Sequence, residues 1–167
     1  MANDSSASES PRTSGAGLLA EEQPAGLSRS TRWLLTVVIA AGLGVDAFVH
    51  WRLAPDFDTL TGAASPHISQ GQLFRLEAVL ALIAMLAVLT SRHRLVVAFA
   101  FLVAAGGLGA VLLYGYFDIG GFGPLPDMYD PVWSRQKTIS AIAEALAALA
   151  ALCLLLLPRL TGRARTP

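Results

Sequence analysis

The sequence predicts an all-α integral membrane protein: a four-transmembrane-helix bundle with a disordered N-terminal tail and two structured outer loops. Three observations carry that expectation. Hydrophobic residues make up 54% of the 167 residues and charged residues only 14%, where a soluble domain carries roughly a quarter charged. Four separate stretches stay apolar for about 17–25 residues, the length a helix needs to cross the hydrocarbon core. The links between them are unequal: "SRHR" joins the second and third stretches, whereas 52–72 and 118–137 form much longer links on the opposite side.

The elements follow in chain order. Residues 1–31, "MANDSSASESPRTSGAGLLAEEQPAGLSRST", have no lasting apolar period. Such a segment cannot bury enough surface to offset its ordering entropy, so a disordered cytoplasmic tail is expected. Acids stand where a secretory signal has its basic region, and Ala2 stands where myristoylation needs glycine. The membrane domain is expected over 32–158, with helices at about 33–51, 73–90, 95–117 and 138–157. The third, "LVVAFAFLVAAGGLGAVLLYGYF", holds no charge at all, while the second carries Arg75 and Glu77 near its start. "SRHR" makes the second and third helices an antiparallel hairpin. Because irregular backbone cannot face lipid, the two long links belong at or above a membrane face. Residues 159–167 form a basic tail.

Orientation comes from the arginines and lysine near the helix ends. Arg29, Arg32, Arg92, Arg94, Arg159, Arg163 and Arg165 fall on one side, and Arg52, Arg75, Arg135 and Lys137 on the other. The excess on the first side places both termini in the cytoplasm of a plasma membrane and the long loops outside. Trp51, Tyr114, Tyr116, Tyr129 and Trp133 then gather near the outer face, as an interfacial aromatic belt does. Small residues at four-residue spacing, Ala40 with Gly44 and Gly106 with Ala110, together with Ala141, Ala145 and Ala148, supply faces for close helix packing. The strong bias of arginine over lysine, with abundant alanine, is a compositional habit of GC-rich bacterial genomes.

The acids are unevenly placed. Outside the tail they all map to the outer half: Asp46, Asp56, Asp58, Glu77, Asp118, Asp127, Asp130 and Glu144. Asp46, Glu77 and Glu144 lie inside expected helices, roughly 6–11 Å below the outer ends at 1.5 Å per residue. A carboxylate in a membrane is costly and normally turns inward to a partner. Asp46 and His50 stand one turn apart on one face, and Lys137, Ser140 and Glu144 share another. A polar cluster of Asp46, His50, Glu77, Tyr114 and Glu144 is therefore the candidate site, with Arg75, reaching towards Asp46 or Asp118, and Lys137 as charge partners. Two readings of it stand side by side: contacts that stitch helices together, or a site for a solute, proton, metal ion or quinone-like lipid. The first outer link opens with an amphipathic piece, and its Ser69 and Gln72 have the spacing of a capping box. The second, with Asp118, Pro124, Pro126, Asp127, Tyr129, Asp130 and Trp133, combines glycine turns, prolines and aromatics as a structured cap over the bundle would.

Exclusions narrow the function. Net charge is zero and no long stretch is rich in closely spaced basic residues, so nucleic acid is not an expected partner. Cys153 is the sole cysteine, so there is neither an internal disulfide nor a Cys-based zinc cluster. No Gly-x-Ser-x-Gly, phosphate loop, Cys-x-x-Cys or His-Glu-x-x-His occurs, and His50 and His67 form no familiar ligand spacing with an acid. No catalytic residue, metal or cofactor is assigned. The expected partners are the lipid bilayer and other membrane subunits or further copies of the chain, as for a non-catalytic accessory or interaction subunit of a bacterial membrane complex. The alternative is a carrier or binding site at the carboxylate cluster.

Overall fold

The computed structural model describes residues 27–62, 65–121 and 123–162, leaving aside the side chains of 65–67 and 158–162. The expectations for the tail before residue 27, for the side chain of His67 and for the basic stretch after residue 162 lie outside it. Four long helices dominate: α1 (Arg29–Leu53), α2 (Gln70–Thr90), α3 (Arg94–Tyr116) and α4 (Arg135–Gly162). All four are long and apolar enough to cross a membrane.

Three helices extend beyond their apolar stretches, α1, α2 and α4, and α3 is shifted by one residue, because helix ends are set by hydrogen bonding and not by hydropathy. Residues 29–31, assigned to the tail on composition, belong to α1: the Ser28 hydroxyl accepts from the Thr31 amide and opens the helix. At α2 the Ser69 hydroxyl accepts from the Gln72 amide while the Gln72 side chain accepts from the Ser69 amide, each at 3.1 Å. This reciprocal cap satisfies two donors that the first turn leaves orphaned. At α4 the cap is one-sided: the Ser134 hydroxyl accepts from the Lys137 amide at 3.2 Å. The linker Ser91–His93 joins α2 to α3, and the His93 ring accepts from the Leu95 amide.

The helices form a ring in which α1 packs on α2 and α4, and α4 packs on α3. Although α2 and α3 are chain neighbours joined by a three-residue turn, theirs is the loosest of the four sides. The bundle thus has a turn end, holding the α2–α3 turn, and a loop end, holding both long links. The dry core lies towards the turn end, where Ile39, Leu43, Ala81, Ala84, Ala100, Ala104, Ala147 and Ala151 are completely buried. Between helices surrounded by lipid, apolar burial would give no driving force, and close van der Waals approach would have to supply it. Gly42 shows how close: a Cβ there would lie 2.6 Å from the Ala143 carbonyl oxygen and 2.9 Å from the Ala147 Cβ. The small-residue pattern is used differently at Gly106 and Ala110. They line a cavity, and a Cβ on Gly106 would meet nothing within 4 Å.

At the loop end the first link holds short regular elements within the structured loop that its sequence implies. A 3-10 turn (Ala54–Phe57) extends α1, and strands β1 (Thr61–Gly62) and β2 (Ser65–Ser69) pair antiparallel. Gly71 at the start of α2 lies directly against this turn, so that a Cβ there would come within 2.3 Å of the Ala54 carbonyl oxygen. The second link turns at Gly120 and Gly123, both at positive φ (65° and 59°), where residues with a Cβ are disfavoured. Pro126 is fully buried beside Gly62, so the two links touch. Asp127 accepts from the Tyr129 amide and Asp130 from the Val132 amide, each at 3.0 Å, which fixes the descent into α4.

Candidate functional site

Asp46 and His50 sit one turn apart near the loop end of α1, and both are buried. The His50 Nδ1 lies 2.8 Å from Asp46 Oδ1. Ser140 of α4 donates to the same oxygen at 2.7 Å. One turn further along α4, Glu144 is fully buried, and it faces Gly107 of α3. A Cβ at position 107 would lie 2.7 Å from Glu144 Oε1 and 3.2 Å from Glu77 Oε1, which arrives from α2. All four helices therefore meet at one level, and a missing side chain on α3 is what lets two carboxylates converge.

This cluster is incompletely bonded. Asp46 Oδ2, Glu77 Oε1 and both Glu144 oxygens are buried without a hydrogen-bond partner. The two cations that the sequence offers as partners are engaged elsewhere. Arg75 does not reach Asp46 or Asp118; it forms a two-bond pair with Asp58 at 2.6 and 2.7 Å. Residues two apart on a helix point in different directions, so Glu77 facing inward turns Arg75 towards the first link. That guanidinium holds the Asp58 carboxyl below its usual range. Lys137 donates to the Asp130 backbone oxygen and lies 3.4 Å from its carboxylate.

Beside the cluster is a cavity of about 330 Å³. His50, Glu77 and Ser140 form its polar end, Leu73, Phe74, Leu76, Gly106, Ala110 and Val111 its apolar walls, and Tyr114, Met128, Asp130 and Lys137 its margin towards the loops. Phe74 packs edge-on against the His50 ring with centroids 5.2 Å apart. Much of the wall comes from α2 and α3, the loosely packed side of the ring, and both Leu76 and Gly106 are exposed.

The residues singled out in the sequence separate into groups. Asp46, His50, Glu77 and Glu144 come together, while Tyr114 stands on the cavity wall. Of the loop residues, Asp130 reaches the cavity and Pro126 anchors the two links to each other, whereas Asp118, Pro124, Asp127, Tyr129 and Trp133 are exposed. Ser140 and Gly107 complete the site. Ser140 was legible as a member of the Lys137–Glu144 face, but Gly107 was hidden beside the more conspicuous Gly106–Ala110 spacing. Sequence spacing assigns no metal, yet across the fold Asp46, His50 and Glu144 each bring a ligand atom within 4.8 Å of the others.

Fold and site together define a class: a four-helix protein with membrane-length helices and a buried carboxylate–histidine cluster at one end. No family model, curated protein or solved structure matches the chain.

Proposed function

We propose that this is a multi-pass plasma-membrane protein that holds a small amphipathic molecule in the loop-end cavity, with access from the bilayer between α2 and α3. Both termini lie in the cytoplasm, as the arginine bias indicates, and the loop end faces outward. One observation carries the reading: a buried carboxylate oxygen without a partner, Glu77 Oε1, stands with His50 and Ser140 at the polar end of a mostly apolar cavity, backed by the Asp46–Glu144 cluster. A polar group placed only to join helices would be satisfied by its neighbours, since each buried unpaired group costs about 1–3 kcal/mol. A mostly apolar cavity of about 330 Å³ with a few convergent polar groups is instead the usual form of a small-molecule site. The ligand class is a lipid-soluble molecule with a hydrogen-bonding ring or head group, of which a quinone-like lipid is one example.

The accessory-subunit reading has lost one of its supports, because the small-residue faces of α1 and α4 pack against each other within this chain. It keeps one specific observation, the exposure of Phe117, Ile119 and Val132 along the second link, which is the surface that would meet a partner.

Mass spectrometry of the protein purified from membranes in mild detergent tests the choice. The cavity reading expects a stoichiometric small molecule that Gly106→Leu, which puts a side chain at a cavity-lining position where a Cβ meets nothing within 4 Å, fails to retain. Equal retention by the variant, or a co-purifying protein in place of a small molecule, overturns it.

A further inference from the structure

We infer that Asp46, His50 and Glu144 form a binding site for one divalent transition-metal ion, with Glu77 as an additional donor from across Gly107. The inference goes beyond the cavity reading, because it needs only the cluster itself and no molecule in the cavity.

Donor chemistry comes first. Imidazole with carboxylates suits first-row divalent ions such as zinc and manganese, which take nitrogen and oxygen donors at about 2.0–2.2 Å. Two donors at that distance from a single ion lie roughly 3–4 Å apart, and the three candidates all fall within 4.8 Å of one another. Asp46 and His50 are one turn apart on α1 and Glu144 enters from α4, so the donors come from two packed helices. Ser140 restrains Asp46 through Oδ1 and leaves Oδ2 without a partner. Holding one carboxylate oxygen so that the other is presented is the work that neighbours of a metal site do.

The second argument is independent of the ligand set. Glu144 is 0% exposed, and neither of its oxygens has a hydrogen-bond partner. It shares its surroundings with two further carboxylates and a single imidazole. Both nearby fixed cations are turned away, Arg75 to Asp58 and Lys137 to Asp130. An uncompensated charge is too costly to bury in an apolar medium, and such a group either takes up a proton or is met by a cation; a bound divalent ion is the second of these routes. A divalent ion between Asp46 and Glu144 would satisfy their unpartnered oxygens and add positive charge to a cluster that holds three carboxylates against one imidazole. Glu77, which lies across Gly107 from Glu144 and lines the cavity, or water, would complete the donor set.

The test is metal retention by the full chain in detergent. Protein stripped with a chelator is incubated with zinc or manganese chloride, desalted and measured by plasma mass spectrometry, with folding followed by size exclusion and helical circular dichroism. The expected result is one equivalent of one of these metals per chain, with affinity lowered at least about tenfold by Asp46→Asn, His50→Ala and Glu144→Gln. Asp58→Asn, an exposed carboxylate outside the cavity, retains metal normally. Should a carboxylate variant fail to fold, His50→Ala carries the test. No retained metal in the unsubstituted protein, or full retention by the folded cluster variants, overturns the site. Metal retained by a protein that carries no cavity ligand leaves this inference standing and removes the cavity reading, so the two fail separately.

Discussion

At the turn end of the bundle, Ala81, Ala84, Ala100, Ala104, Ala147 and Ala151 close the core with side chains of a single carbon. At the loop end the same four helices enclose three carboxylates, an imidazole and a cavity of about 330 Å³. The difference shows how four packed helices of membrane-spanning length can separate stability from chemistry. Between helices in lipid, attraction comes from close backbone approach, and the alanine and glycine contacts concentrate it at one end. The other end then has room for groups whose hydrogen bonds are unfinished.

Substitutions at the two ends should therefore act in opposite directions. The largest effect is expected from Gly42→Leu, which forces a side chain against the Ala143 carbonyl and the Ala147 methyl. Overpacking of this kind costs about 3 kcal/mol, read as a lower midpoint in detergent unfolding. At the loop end, Glu144→Leu removes a buried group that has no partner. Its expected outcome in metal-stripped protein is a gain of about 1–2 kcal/mol in the same assay, together with loss of metal retention. A loss of stability instead would mean that Glu144 is a structural contact and would erase the contrast.

Smaller effects sharpen the comparison. Ser69→Ala removes half of the cap on α2 and should cost about 1 kcal/mol, without altering metal retention. The smallest effect belongs to the exposed Asp58–Arg75 pair. The Asp58 carboxyl is held below its ordinary value of 3.8 in the folded protein, so its stabilisation is complete above that pH. It fades as acid takes the pH down through the lowered folded value. Asp58→Asn should flatten this acid limb of a stability–pH profile slightly, and salt should weaken the pair in the unsubstituted protein.

Sequence alone fixes the depth of a residue in a helix but not the rotation of one helix against another. Hydropathy located the four spans and missed their ends by a few residues, because Arg29–Thr31 and Gln70–Gln72 are helical without being apolar. Rise per residue put Asp46, Glu77 and Glu144 at one level, and the i, i+4 spacing paired Asp46 with His50. That Glu144 and Glu77 face each other across Gly107 depends on how α2, α3 and α4 turn about their axes, which no single-chain pattern records. The direction of Arg75 was missed for the same reason, since its partner Asp58 becomes available only once the 3-10 turn folds back on α2. The β1–β2 hairpin is too short and too polar to leave an alternating pattern.

The three-residue turn between α2 and α3 has a mechanical consequence. It ties these helices at one end, while at the other end they border the cavity on their loosest side. A helix of the length of α3 is about 34 Å long, so a relative tilt of about 5° pivoting at the turn changes the separation at the far end by about 3 Å. Ser91–His93 is thus the fulcrum of a long lever, and the width of the cavity mouth is its most responsive dimension. A change in bilayer thickness that tilts either helix would reach the carboxylates amplified, although it begins at the opposite face of the membrane.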